Sequence, residues 1–369
     1  MWLRSLPDVP RRRYTRVVDS HRYIGCLLGT AVGDALGLPA EGISARRHAR
    51  LFPGPLRHRF LPGRGMVSDD TDHAVFVVQA LVRAGLDSDA FQRALSWSLR
   101  WWLAGIPAGV GLATLRATLR LWLGISPRRS GVFSAGNGPA MRSPILGVRF
   151  GDERELLHTF VRRSTELTHS DPKAFHGALA VALAAHHSAV AGEVSGADYL
   201  DDLHEHLSNE QAGPFLKLME RAVQSAAAGE SATTFATSLG CTRGITGYMY
   251  HTVPCVVQTW LRYPDNFAAG IEAVVAAGGD TDTTGAILGG ILGARVGKEG
   301  IPAAWLNGIL EWPRSTTWIE HLACSLAEVA ESGEPLTPPH YFSPGVLPRN
   351  LCFLSVVLAH GLRRLAPPY

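Results

Sequence analysis

A chain of 369 residues, 46% hydrophobic and 18% charged, holds enough apolar material for a sizeable core and too little charge for a disordered protein. Its net charge of +3 is uneven: residues 1 to 23 hold six arginines against Asp8 and Asp19, and the remaining 29 basic and 30 acidic residues leave the body at −1. A neutral body argues against a nucleic-acid-binding face, and five cysteines (26, 241, 255, 324, 352) without a C-x-x-C fit a reduced, cytoplasmic setting. The apolar run from Ile24 to Ala40 is short and interrupted by Asp34 and Pro39, whereas a membrane span needs about 20 apolar residues. Neither a membrane segment nor a signal peptide is expected.

Residues 1 to 20, with Pro7, Pro10 and the Arg11-Arg12-Arg13 run, read as an extended basic arm, for which a frayed terminus is the plain alternative. A helix is expected from His21, with Gly25, Gly29, Gly33 and Gly37 at every fourth position and so on one face. Interior glycines each cost about 1 kcal/mol relative to alanine, so four in register call for another helix at backbone distance. The device returns at Gly285, Gly289, Gly293 and Gly297. The pattern suggests a tightly packed helical centre with carboxylates at its mouth.

After the first striped helix, Ser68-Asp69-Asp70-Thr71-Asp72 leads into the apolar run Ala74 to Val82. Its valines would suit a strand, but the pattern continues at helical period, and acids at a helix N-terminus are favoured by its dipole. Between 89 and 123, Phe91, Leu95, Trp97, Trp101, Trp102, Leu112, Leu115, Leu119 and Trp122 recur at helical spacing and read as core. A break at Gly124 to Gly147 carries Ser134-Ala-Gly-Asn-Gly-Pro-Ala-Met-Arg142. Amides bared by glycine there suit close approach of an anion or sugar.

Helices over 156–167 and 174–191 are joined by Thr168-His169-Ser170-Asp171-Pro172, where a lone histidine reads first as a helix cap. An amphipathic pair follows over 197–229, then Gly247 to Pro254, then Phe267 to Ala277, with further helices from Trp305 to Val329. The tail holds seven prolines around the apolar stretch Leu351 to Leu362, which is expected to dock on the body. The reading is an all-α, compact multi-helix protein: a basic extension over 1–20, one domain over 21–331 and a proline-rich tail over 332–369 packed on it.

Gly279-Asp280-Thr281-Asp282-Thr283-Thr284-Gly285 crowds two carboxylates and three hydroxyls ahead of the second striped helix. These are hard oxygen ligands with no His or Cys among them, suited to Mg²⁺, Mn²⁺ or Ca²⁺ rather than zinc. One such cluster more often caps a helix. The second, Ser68 to Asp72, lies about two hundred residues upstream with the same chemistry, and it shifts the balance toward a metal site.

Six motifs in order carry a resemblance: Gly25-Cys-Leu-Leu-Gly-Thr-Ala-Val-Gly-Asp34 through Pro39-Ala-Glu41, Ser68 to Thr71, Gly136 to Arg142, Leu167-Thr-His169, Gly247-Tyr248 through Val253-Pro254, and Gly278 to Thr283. Together they resemble the ADP-ribosylglycohydrolase family. The resemblance implies two Mg²⁺ (or Mn²⁺) ions held by Ser68, Asp69, Asp70, Asp280, Asp282 and Thr283, with Asp70 and Glu41 as the proton-handling pair. It places Ser134, Gly136, Asn137, Gly138 and Arg142 around phosphates and ribose, His169 near the distal part of the substrate and Tyr248 beside the adenine. Pro139 stands where the family commonly has a small residue, and Asp34 is taken as structural. The implied activity is hydrolysis that frees ADP-ribose from a modified protein side chain, arginine first. The alternative is an immunity protein whose N-terminal extension blocks an ADP-ribosyltransferase toxin.

Overall fold

Helix follows helix along this chain because apolar residues recur at three- and four-residue spacing and a polar cap precedes many of the runs. Ser44, Ser68, Asp87, Asp171, Ser195, Ser231, Asn266 and Ser315 each accept a hydrogen bond from a first-turn amide. The structure, a computed structural model, describes residues 20–366 apart from 191 and 209. All but the last residue of the expected basic arm therefore lies outside the described residues.

In order the elements are α1 (Ser20–Gly37), β1 (Ile43–Ser44), α2 (Ala45–Leu51), α3 (Asp69–Ala84), α4 (Ser88–Ala104), α5 (Leu112–Trp122), α6 (Gly138–Met141), α7 (Pro144–Phe150) and α8 (Arg154–Glu166). Then come α9 (Pro172–Ala189), α10 (Gly196–His206), α11 (Gly213–Ala227), α12 (Ala232–Ser238), α13 (Met249–Arg262) and α14 (Phe267–Ala276). The chain ends with β2 (Gly278–Gly279), α15 (Thr281–Val296), α16 (Ala303–Leu306), α17 (Thr316–Ser332) and α18 (Val346–Arg363). This is the all-α bundle expected, with one two-residue ribbon added.

The two striped helices are each other's partner. α1 and α15 run antiparallel, with Gly25 against Gly293, Gly29 against Gly289 and Gly33 against Gly285. A Cβ at any of these positions would run into the facing backbone carbonyl. At the site end, Thr281 Oγ1 donates to the Gly37 carbonyl at 2.8 Å. α9 and α14 flank α15, α3 and α17 flank α1, and one continuous apolar core runs from Tyr23 to Val329.

The ribbon pairs Ile43 with Gly279 and Ser44 with Gly278, antiparallel. Around it, the Gly42 amide donates to Gly279 O at 2.7 Å, Ile245 N to Gly278 O at 3.0 Å and Asp280 N to Ile245 O at 2.8 Å. Gly278 and Gly279 have φ of +71° and +87°, a region that glycine enters without strain. Three loops are thereby stitched into one platform directly ahead of Asp280.

One expectation about the core is corrected. Phe91, Leu95, Leu99 and Trp102 are buried, but Trp97, Trp101 and Trp122 are exposed by 59%, 55% and 46%. Trp97 and Trp101, four residues apart on α4, lie on the face turned from the buried stripe. They meet each other edge-on at 5.8 Å between ring centroids, and Trp101 meets Trp122 in the same way at 5.9 Å. Leu112 and Leu119 are likewise exposed.

The tail helix α18 docks through Phe353, Val356 and Val357 near Leu38, Phe60 and Met66 and through buried polar groups, not through most of its leucines. Arg349, Asn350 and Phe353 are buried, while Leu351, Leu358 and Leu362 face solvent. The segments Ser20–Ala40 and Ser343–Arg363 are both long and apolar enough to cross a bilayer; the first is 94% buried inside the protein and the second 22%.

Candidate active site

Two helix N-termini meet at the mouth of the α1–α15 pair. Ser68 caps α3, its hydroxyl accepting from the Asp70 amide at 3.2 Å, and α15 begins just after Asp280. Asp34, buried in α1, accepts from the Ser68 amide at 2.9 Å, the Thr71 amide at 3.2 Å and the Thr71 hydroxyl at 2.5 Å. α1 thus fixes the start of α3, and burial pushes the Asp34 carboxyl up to about 7 despite these donors. The two acidic clusters touch at Asp70, whose Oδ2 accepts the hydroxyls of Ser68 at 3.1 Å and Thr283 at 3.2 Å. Its Oδ1 is buried without a hydrogen-bond partner among the described residues. Asp280 Oδ2 accepts from the Asn137 amide group at 2.6 Å, and Asp282 Oδ1 accepts the Thr283 amide at 2.9 Å. Asp72 turns away, held by Arg314 at 2.8 Å and by the Trp102 indole N–H at 3.1 Å.

Burial raises the carboxyls of Asp69, Asp70 and Asp282 well above their ordinary range, and the repulsion of neighbouring acids adds to it. Asp280 is raised by burial. Glu41 keeps a face open to solvent. The surrounding walls nevertheless crowd its carboxyl enough to raise it, with Asp280 adding to the effect and Arg364 opposing it. Such a knot of acids, one oxygen of which has no donor, is stable either holding protons or around cations. The donors Ser68, Asp69, Asp70, Asp280, Asp282 and Thr283 are all hard oxygens, so the residues fit divalent Mg²⁺ or Mn²⁺. Among the described residues, no three His, Cys, Asp or Glu side chains are already closed into a cage. A third of this donor set is hydroxyl, and Asp70 and Asp280 turn oxygens to Ser68, Thr283 and Asn137.

Glu41, Ser68, Asp69, Asp280, Asp282 and Thr283 form one side of a cleft of about 380 Å³, with Ser134, Gly136, Asn137, Gly138 and His169 on the other; Asp70, buried beside Ser68 and Thr283, does not line it. The opposing lip is the glycine loop, whose shape the sequence determines locally. The Gly136 amide donates to the Ser134 hydroxyl at 3.3 Å, and Pro139 sits in the first turn of α6, a position that suits its fixed φ. His169 is not the cap of its helix; Asp171 is, accepting from Lys173 N at 3.0 Å. The His169 ring instead lies against the loop, so close that a Cβ at Gly136 or Gly138 would come within 3.1 or 3.2 Å of it. Burial, helped by nearby Arg142, pushes His169 down to about 3 and keeps it neutral.

Two residues stand differently from what the resemblance implies. Arg142 is fully buried and its guanidinium serves the scaffold, donating to the Ser164 hydroxyl at 2.9 Å, the Ser164 carbonyl at 2.7 Å and the Thr168 hydroxyl at 2.8 Å. A third nitrogen meets His73 Nδ1 at 3.2 Å, and Thr168 links the guanidinium to the cleft by a 2.8 Å hydrogen bond with His169 Nδ1. The Asn137 amide is turned to Asp280 Oδ2 at 2.6 Å and to Thr252 Oγ1 at 3.0 Å, so it braces the acidic side from across the cleft. Tyr248 does not line the cleft, though the preceding Gly247 does; a bridge pairs it with Gly136, and its ring lies against Tyr250 and His251. Sequence reasoning gave no role to Thr252, which orients Asn137; a threonine inside an apolar helix gives no sign of such a task.

The sequence profile of the ADP-ribosylglycohydrolase family matches residues 16–335. Among similar proteins, the ADP-ribosylhydrolase ARH3 of Gallus gallus is 29% identical over 335 residues, 77% of this chain and 88% of its own length. The ADP-ribosyl-[dinitrogen reductase] glycohydrolase of Rhodospirillum rubrum is 27% identical over 299 residues, 78% of this chain and 89% of its own. A solved structure described as an ADP-ribosylglycohydrolase-related protein complex superposes with a TM-score of 0.64 at 27% identity, covering 84% of this chain and 98% of that one. The chain belongs to the ADP-ribosylglycohydrolase family, hydrolases that remove ADP-ribose.

Proposed function

We propose that this protein uses two Mg²⁺ or Mn²⁺ ions to hydrolyse the bond between ADP-ribose and an arginine side chain of a modified protein. The observation that carries the proposal is the junction at Asp70, whose carboxylate accepts the Thr283 hydroxyl and so ties the acidic start of α3 to that of α15, beside a cleft whose other lip is the glycine loop. Bound to these donors, the cations would supply Lewis acidity and a template for the ribose hydroxyls. Asp70 takes the proton of the attacking water as oxygen joins C1″. The bond to the acceptor breaks, its electron pair leaves with the acceptor atom, and Glu41 returns a proton to it. The glycine loop from Ser134 to Gly138 lets the diphosphate approach the backbone closely, and Tyr248 stacks on the adenine. An arginine acceptor is favoured because Glu41 and Asp69 line the cleft with acid, which complements a guanidinium. All five cysteines are free, in keeping with a cytoplasmic setting.

The test is incubation with arginine-linked and serine-linked ADP-ribosylated proteins, with and without chelator. ADP-ribose should leave the arginine-linked protein, stop with chelator and resume when Mg²⁺ is restored. Release from serine alone would reassign the acceptor, and release from neither would sink the hydrolase reading.

Blocking of an ADP-ribosyltransferase toxin is compatible with this chemistry. α1 spans about 27 Å at 1.5 Å per residue, so the chain enters the fold at the end of α1 away from the cleft. Deleting residues 1–20 should then weaken binding to a cognate toxin and spare hydrolysis, whereas unchanged affinity would count against the arm.

A further inference from the structure

The family match ends at residue 335, and α18 begins beyond it at Val346. This helix nevertheless touches three loops of the cleft. Arg349 forks onto Glu311, Nε to Oε1 at 2.8 Å and Nη2 to Oε2 at 2.7 Å, both side chains being buried. The same Nη2 donates to the Val67 carbonyl at 2.6 Å, and Glu311 Oε2 accepts the Val67 amide at 3.3 Å. Both polar groups of Val67 are therefore held by one ion pair, and the next residue is Ser68. Asn350 donates to the Gly105 carbonyl at 2.8 Å. The following residue, Ile106, has φ of +55°, a strained conformation for a β-branched side chain, and its loop continues into the cleft wall at Ala108 to Thr114. Just past the helix, Arg364 donates to the Glu41 carbonyl at 2.7 Å and the Pro39 carbonyl at 3.0 Å. Phe353 and Val357 of α18 line the cleft themselves.

We propose that α18 is a working part of the catalytic centre and that Arg349, paired with Glu311, is a positioning residue that fixes Ser68 for cation binding. This rests on the hydrolase reading above. The helix packs Phe353, Val356 and Val357 near Leu38, Phe60 and Met66, but covering that surface does not need Arg349 and Asn350, whose buried polar groups are directed to the backbone beside Ser68 and to the Ile106 loop. Partners behind metal ligands commonly contribute ten- to hundredfold to affinity.

The test uses the full chain carrying Arg349→Met together with Glu311→Leu, which removes the clamp without leaving a buried charge unpaired. Mg²⁺ affinity is read by calorimetry, folding by thermal melt, and kcat and KM on the ADP-ribosylated protein. Mg²⁺ Kd should rise about tenfold and kcat should fall, with KM within twofold of wild type. Arg349→Lys, which keeps the charge but cannot fork to Glu311 and Val67 at once, should fall between the two. If the double variant does not fold, Arg349→Lys decides by the same readouts. Mg²⁺ Kd and kcat within twofold of wild type in a folded variant would overturn the proposal. A wild type that neither binds Mg²⁺ nor releases ADP-ribose would instead overturn the hydrolase reading, and the positioning role with it.

Discussion

An Asp282→Ala variant is expected to release ADP-ribose at least about a thousandfold more slowly than wild type, because it removes a donor shared by the acidic cluster rather than a peripheral contact. It should do so without unfolding. The carboxyls of Asp69, Asp70, Asp280 and Asp282 are raised by burial, and Asp34 lies at about 7, whereas an unfolded aspartate titrates near about 3.9. The metal-free fold thus binds more protons than the unfolded chain. Its stability is fullest below the unfolded value and is lost as pH rises through the raised ones. Deleting one of these acids relieves repulsion, so in EDTA at pH 8 Asp282→Ala should melt above wild type. A melt well below wild type would attribute the lost activity to unfolding and remove this support for the site. Asp70→Ala should behave alike, while Glu41→Gln, which keeps the cluster and loses one proton donor, should cost about a hundredfold.

The second large effect concerns the axis of the fold. Gly29→Ala should destabilise the protein by roughly 3 kcal/mol or more, since the added methyl meets the Gly289 carbonyl and neither backbone can rotate away. Thermal melting would show this as a drop in Tm of roughly 4 °C or more. Gly361, in α18, has open space at its Cβ position, so Gly361→Ala should raise stability by up to about 1 kcal/mol. Equal effects at the two positions would mean that the stripe reflects helix propensity alone. Because α15 begins with the acids, a shifted α1–α15 contact also moves Asp282 relative to Asp70, and loss of activity should accompany the loss of stability.

Glycines at every fourth position announced two helices in backbone contact, because little else explains so many poor helix formers in register. The two Asp and Thr clusters announced hard-oxygen chemistry for the same kind of reason. Burial could not be read so directly. The spacing of Phe91, Leu95, Trp97 and Trp101 shows which residues share a face but not which face the fold covers, and the exposed tryptophans follow from that ambiguity. Arg142 was misplaced because α6 is a four-residue turn, too short for periodicity to show that the guanidinium points inward to Ser164. The two-residue ribbon was invisible for want of length to alternate. The clamp at Val67 had no local signal either, since Arg349 stands 38 residues from Glu311 and 282 from Val67; only tertiary structure joins them.

Titration of Mg²⁺ into chelator-stripped protein by calorimetry tests most directly whether the acids of α3 and α15 form one metal centre. Wild type should bind about two ions per chain, and Asp282→Ala should lose that binding while keeping its fold. Wild type without measurable binding, or Asp282→Ala binding with wild-type affinity, would contradict a shared centre at Asp70, Asp280 and Asp282.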